Sequence, residues 1–144
     1  LDMISKFTNE SGLLKIKPDA RSFGFDCSDG AVEVGENSLA YEEWVSVPDD
    51  MEIPSPLVKR HFSGGLYAAH VRRSWDFSDW QRLKEWVDAS EKYDNDWGSP
   101  QGESPEITFR QGFEETLNFY NYILKHNSEM SHLQLDLLFP IKEK

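Results

Sequence analysis

In this sequence the side chain best placed to bind a ligand or take part in catalysis is Glu114, within the run Phe113–Asn118. The run alternates apolar and polar residues, which predicts a strand with Glu114 and Thr116 on one face. A carboxylate in an aromatic groove is costly to remove from water unless a cation pairs with it, so such a site would select cationic guests. The neighbouring Glu115 leaves the register open, because a slip of one residue exchanges the two faces.

Aromatic side chains are the second set of candidates for ligand contact. They make up 13% of the chain, against 38% hydrophobic residues overall, so we expect some rings to line a cavity. Tyr67 could form a wall of the groove, and its hydroxyl could bond a ligand or Glu114. Four further rings could stack on a flat cation, each contributing about 0.5–2 kcal/mol if the geometry is met: Phe23, Phe25, Tyr41 and Trp44. The alternative for every one of these rings is a place in the core.

Tyr67 follows a glycine pair, Gly64 and Gly65, that interrupts a strand-like pattern. Residues 58–62 and 66–71 each alternate with a period of two. Glycines inside such a pattern mark a bulge or hairpin corner, or a place where another group approaches the backbone closely. The pattern therefore predicts two strands joined at a kink.

The elements that must position these residues follow from the periodicity of the apolar side chains. Strands are predicted at Ser22–Cys27, at Tyr41–Val47, at Leu133–Ile141, and at Ile107–Tyr120 with a break at Gly112. From Tyr120 onwards a helical turn is an equal alternative. A short amphipathic helix is predicted to close near Gly12, and a second over Asp76–Glu91 places Trp80 and Trp86 in the core. Residues 92–105 are predicted to be loop.

The chain is predicted to be one domain, residues 1–144, built from two similar halves, residues 1–50 and 57–144. An acidic, proline-rich linker joins them. The pattern favours an α+β fold in which two βαββ units share one sheet. The first half lacks a strand before its helix, so we expect its leading strand to be missing or replaced, which would leave a sheet edge that a second copy could cover.

Composition excludes several classes of function. The net charge of −11, from 26 acidic and 15 basic residues, argues against direct nucleic-acid binding and favours cations. The single cysteine, Cys27, excludes an internal disulfide and suits the cytoplasm. No apolar run approaches the roughly 18 residues that a membrane span needs. No nucleophile, nucleotide or cofactor motif is present, so we predict no catalytic residues and no cofactor.

A metal site is not predicted either. His126, Glu129 and His132 are spaced three residues apart. That spacing is not a recognised metal-ligand pattern.

Four segments in order resemble the GyrI-like effector-binding family, which occurs in AraC-type and MerR-type multidrug regulators and as stand-alone proteins. Residues 41–48 (YEEWVSVP) resemble its V-x-V-P strand, and residues 62–68 (FSGGLYA) its G-G-x-Y-A element. Residues 113–118 (FEETLN) resemble its F-E-x-Y-L-N strand, and residues 135–141 (LDLLFPI) its closing strand.

The resemblance implies two pseudo-symmetric units in an antiparallel sheet, helices on one side, and a groove between the units for lipophilic, often cationic compounds. It places Glu114 facing the groove. Thr116 stands where the family has tyrosine, which removes an aromatic wall at that position. The implied function is effector binding in transcription regulation or drug sensing, with a DNA-binding domain elsewhere. The alternatives are a hydrolase of electrophilic natural products, using Glu114 with Tyr67, and a gyrase-inhibitor-like interaction module.

Overall fold

The chain folds around one antiparallel sheet. A computed structural model describes residues 2–26, 41–73, 78–98, 106–107, 110–126 and 133–144. Within these residues six strands form the sheet, and helices pack against one of its faces. The predicted α+β class is therefore confirmed.

The two strands from the first 50 residues lie next to each other at one edge of the sheet. Those in the described residues are β1 Ser22–Asp26, β2 Tyr41–Val45, β3 His61–Phe62, β4 Tyr67–Val71, β5 Tyr93–Asn95, β6 Glu106–Ile107, β7 Phe113–Thr116 and β8 Leu135–Glu143. The order is β2, β1, β7, β8, β4, with β5 paired to the last three residues of β8. β3 and β6 form a separate parallel pair. The strand that carries Glu114, β7, is therefore the middle one of five.

Four helices occur in the part of the chain that the structure describes: α1 Asp2–Glu10, α2 Leu13–Ile16, α3 Ser78–Ala89 and α4 Phe119–His126. The first ends as predicted, because Gly12 adopts a left-handed φ of 67° that separates α1 from α2. The predicted second helix is α3, although the beginning of the predicted span, residues 76–77, lies outside the described residues. The helical alternative at Tyr120 is the one that forms, as α4.

Two apolar clusters attach the helices to the same face of the sheet. One holds α3 on β4 and β8 and consists of Ala68, Leu83, Val87, Leu137, Phe139 and Ile141, with Leu135 packed against it. The other is built on Phe7 and Leu13, with Val45 packed against it. In the sheet Val45 pairs with Ser22, Ser22 with Thr116, and Thr116 with Leu135. Because directly paired residues share a face, Val45 of one cluster and Leu135 of the other lie on the same side of the sheet. The middle strand β7 thus lies between the two groups of helices.

The predicted kink between β3 and β4 is present. Gly64 and Gly65 have φ angles of 79° and 150°, which L side chains rarely adopt. A Cβ on Gly65 would lie 2.6 Å from Cζ of Arg110. This guanidinium also donates to Asp96 at 2.6 Å and to the carbonyl of Ile141 at 2.9 Å. The glycine pair therefore both turns the chain and admits an arginine against the backbone.

The predicted loop 92–105 is wrong at Tyr93–Asn95, which forms β5. Of these three residues only Tyr93 is half-buried, so no alternation marks the strand, and its pairing with β8 supplies the order. The predicted linker carries no helix or strand over residues 48–56. It is nevertheless packed, because Met51 and Ile53 lie against the α1 cluster.

Candidate functional site

The register of the sheet separates the predicted site residues onto two faces. Phe23 pairs directly with Trp44 and with Glu115, whereas Gly24 pairs with Glu114. Because paired residues share a face and successive residues alternate, Glu114 points away from the face that carries Phe23 and Trp44. Phe25 lies on the face of Phe23, and Tyr67, which like Phe25 contacts the Phe113 ring, lies there as well. Thr116 lies with Glu114, and Tyr41 begins β2.

The face away from the helices carries an aromatic cluster. Its centre is Phe113, which is 3% exposed and whose ring centroid lies 5.2–5.9 Å from those of five other rings: Phe23, Phe25, Trp44, Phe62 and Tyr67. The structure therefore brings together four of the predicted rings. Their common neighbour Phe113 was not predicted as a site residue, because in the sequence it is simply the apolar residue before Glu114 in an alternating strand.

Tyr67 closes one end of this cluster. Its hydroxyl donates to the carbonyl of Gln111 at 3.3 Å, so its hydrogen-bond partner is the backbone and not Glu114. Burial raises the pKa of the Tyr67 phenol, and the nearby Arg110 guanidinium opposes that rise. Tyr67 and Glu114 lie on opposite faces of the sheet, so they cannot act together on one substrate atom.

Two carboxylates on the aromatic face, Glu42 and Glu115, are paired with arginines of the same chain. Glu115 is 6% exposed and accepts two hydrogen bonds from Arg21, both at 2.7 Å. These bonds raise the pKa of the Arg21 guanidinium. Glu42 accepts from Arg60 at 2.7 Å. The register that the sequence left open therefore places Glu115 beside the rings, and Glu114 on the helix side.

Glu114 lies in the interval between the two groups of helices. Its side chain is 25% exposed and accepts a hydrogen bond at 3.0 Å from Nη1 of Arg72, whose side chain is 13% exposed. Arg72 follows the last residue of β4, and its backbone N–H donates to the carbonyl of Leu135 at 2.8 Å. The structure thus gives the predicted counter-charge a cation from its own chain, and no sequence pattern links Arg72 to Glu114.

Two tryptophans lie beside Glu114 on the helix-covered face. A Cβ on Gly112, two residues before Glu114, would overlap Cη2 of Trp97 and lie 2.9 Å from Cη2 of Trp80. The two indole rings are 5.8 Å apart, and Trp97 is 46% exposed. Trp97 also packs edge-on against Phe139 of the helix-side core at 4.9 Å. The sequence signal for these rings was Gly112, two positions before the carboxylate, because a glycine leaves space for a ring beside the charge.

On the other side of Glu114, Tyr120 of α4 covers the end of β1. It is 3% exposed. Burial raises the pKa of its phenol from the usual 10.0 to about 12, against a hydrogen bond with Ser22 that lowers it. A neutral hydroxyl is therefore fixed between α4 and the sheet.

This burial predicts a loss of stability in alkali. The unfolded chain loses the Tyr120 proton near pH 10 and the folded protein near pH 12. The contribution of the neutral phenol to stability is therefore fully present below about pH 10 and is lost as the pH rises towards 12. Between about pH 9 and 11.5 the wild type should lose about 2 kcal/mol more unfolding free energy than Tyr120→Phe. Urea denaturation at each pH measures this difference. Tyr122→Phe, at a 41% exposed tyrosine of the same helix, should follow the wild type, and equal slopes in all three proteins would contradict the assignment.

Residues 2–141 match the sequence pattern of the integron-associated effector binding proteins (Cass2). The chain belongs to this family. Comparisons with curated proteins and with solved structures found no match. Membership makes the chain an effector-binding protein, and it supports the resemblance to the related GyrI-like domains at the level of the effector-binding domain.

None of the helices in the described residues is both long and apolar enough to cross a membrane. No group of three metal-binding side chains comes together in the described segments. Glu129 and His132 of the rejected metal pattern lie outside them, as does Cys27.

Proposed function

We propose that the protein binds a lipophilic, cationic small molecule on the helix-covered face of β7. Glu114 serves as the counter-charge, and Trp80 and Trp97 provide rings for stacking. The observation that carries this proposal is the placement of a partly buried carboxylate and two indole rings on one face of the middle strand, between two groups of helices.

Desolvation of Glu114 and contact with the indole rings both favour a lipophilic cation. Glu114 is three-quarters buried, so an apolar cation that covers it strengthens its charge interaction by excluding water. A cation over an indole face adds about 0.5–2 kcal/mol. Trp97 is nearly half exposed, so a ligand ring can reach it without displacing core residues. A neutral molecule of the same shape would gain the ring contacts but not the charge interaction.

The overall charge of the protein supports the same class of ligand. A net charge of −11 raises the local concentration of cations and opposes contact with nucleic acid. A role in transcription regulation would therefore need a DNA-binding partner for this domain, and that role stays a prediction. Phe23, Phe25, Trp44 and Tyr67 also stay predicted ligand contacts, on the opposite face of the sheet.

Replacing Glu114 by glutamine should weaken binding of tetraphenylphosphonium by about tenfold or more, because a charge-assisted contact is lost while the shape is kept. Triphenylphosphine oxide, a neutral molecule with similar rings, should change by less than about twofold. Isothermal titration calorimetry measures both. Thermal shift gives a second readout, since ligand at about 100 times its Kd adds about 2.7 kcal/mol of stability.

The matched control is Glu42→Gln. Glu42 forms an ion pair with Arg60 of similar exposure, 32% and 14%, on the opposite face of the sheet. This variant loses the same charge without touching the proposed site, so its affinity for the cation should equal that of the wild type. Equal losses in Glu42→Gln and Glu114→Gln would reduce the effect to net charge alone. Trp44→Ala with weakened binding beside an unaffected Trp97→Ala would move the site to the opposite face.

A further inference from the structure

From the contact between Arg72 and Glu114 we infer that Arg72 is a built-in competitor for the cation site, and that it sets which ligands can enter. This inference rests on the proposed function, because it requires Glu114 to be the counter-charge. In the free protein the Arg72 guanidinium lies 3.0 Å from the Glu114 carboxylate and is largely buried. A cationic ligand must therefore displace a charged partner that is already in place.

Hydrogen bonds hold the backbone on both sides of this arginine, so its side chain can rotate while the strand stays in place. Val71 pairs with Asp136 in the sheet, and the N–H of Arg72 donates to Leu135. The N–H of Arg73 donates to Asp79 at 2.6 Å. A long, flexible side chain on a fixed backbone can move into solvent while the sheet and α3 stay where they are.

Competition with a guanidinium selects a particular class of ligand. A guanidinium is permanently charged and forms strong hydrogen bonds to carboxylates. A small hydrated cation gains little beyond what Arg72 already provides at Glu114. A lipophilic cation also gains ring contacts at Trp80 and Trp97 and buries apolar area, which offsets the loss of the internal pair. The internal cation thus acts as a filter for large apolar cations with a fixed charge.

The test is an affinity series with the tetraphenylphosphonium and triphenylphosphine oxide probes. Arg72→Met keeps an apolar stem but removes the competitor, so its Kd for the cation should fall by about tenfold, equivalent to about 1.4 kcal/mol. Its Kd for the neutral probe should change by less than about twofold. Arg72→Lys keeps a competing charge and should stay close to the wild type. Arg60→Met, which breaks the similar pair with Glu42 on the other face, should leave both affinities unchanged.

The double variant Arg72→Met/Glu114→Gln separates this inference from the proposed function. If Arg72 acts only by occupying Glu114, adding Arg72→Met to Glu114→Gln should not tighten cation binding. Weaker or unchanged cation binding in Arg72→Met, beside a clear loss in Glu114→Gln, would overturn the competitor role and leave the counter-charge intact. Equal cation affinity in the wild type and Glu114→Gln would overturn both. Circular dichroism of each variant confirms that the titrated protein is folded.

Discussion

Replacing Asp79 by asparagine should lower the free energy of unfolding by about 1.5–3 kcal/mol, the range for hydrogen bonds to a charged group. The Asp79 side chain has no exposed surface. It accepts hydrogen bonds from the N–H of Arg73 at 2.6 Å, from the Nε of Arg73 at 3.2 Å and from Arg82 at 3.0 Å, and it lies 3.3 Å from His70. Asparagine would present an NH2 group to these donors and leave two guanidinium groups without their counter-charge. Urea denaturation at neutral pH measures the loss.

The control for this prediction is Asp88→Asn on the same helix. Asp88 is 52% exposed and pairs with Lys84 at 2.6 Å. An exposed pair contributes about 0–1 kcal/mol, so the identical chemical change should have little effect there. A loss below about 1 kcal/mol in Asp79→Asn would show that the buried carboxylate does not hold α3 to β4.

Asp79 shows why the elements could be predicted and their ionic contacts could not. Apolar periodicity predicted α3 and placed Leu83 and Val87 toward the sheet, where both are buried. Its placement of Trp86 in the core is wrong, because Trp86 is 54% exposed. The same pattern reads an aspartate in the first turn as an ordinary helix-start residue, stabilised by the helix dipole. Its burial depends on contacts with His70 of β4 and with Arg73 beyond the end of β4, and the apolar periodicity of α3 does not indicate these contacts.

In the candidate site, too, the strand could be predicted but the contacts between distant residues could not. Alternation predicted a strand over the run that becomes β7, and Gly112 marked its beginning. The choice between Glu114 and Glu115 depends on pairing of Phe23 with Glu115, which joins residues distant in the sequence. The resemblance selected Glu114, and the structure places it on the helix side. Four of the predicted rings, Phe23, Phe25, Trp44 and Tyr67, lie on the face opposite Glu114 and stay predicted ligand contacts. Trp97 is part of a predicted loop, and only the fold places its ring over Gly112.

Replacing Phe113 by alanine should also lower the free energy of unfolding by about 3–5 kcal/mol, the usual range for truncating a buried phenylalanine. Its ring contacts five other rings on the face away from the helices, at centroid distances of 5.2–5.9 Å. Removing it leaves a cavity bordered by large rings that cannot all move inward at once. Phe62→Ala, at a half-buried ring that touches Trp44 and Phe113, should cost less than half as much. Equal losses would mean that the cluster is not centred on Phe113.

The same variant tests whether the two faces of the sheet have separate roles. The Phe113 ring points away from the face that carries Glu114, Trp80 and Trp97, so at a temperature where the variant is folded its cation affinity should stay within about threefold of the wild type. Stability lost with binding retained would assign the aromatic cluster to the fold and leave the helix-covered face to the ligand. A parallel loss of cation affinity, restored by Phe113→Leu, would instead favour the predicted contacts at Phe23, Trp44 and Tyr67, because a ligand on their face would lie against the Phe113 ring.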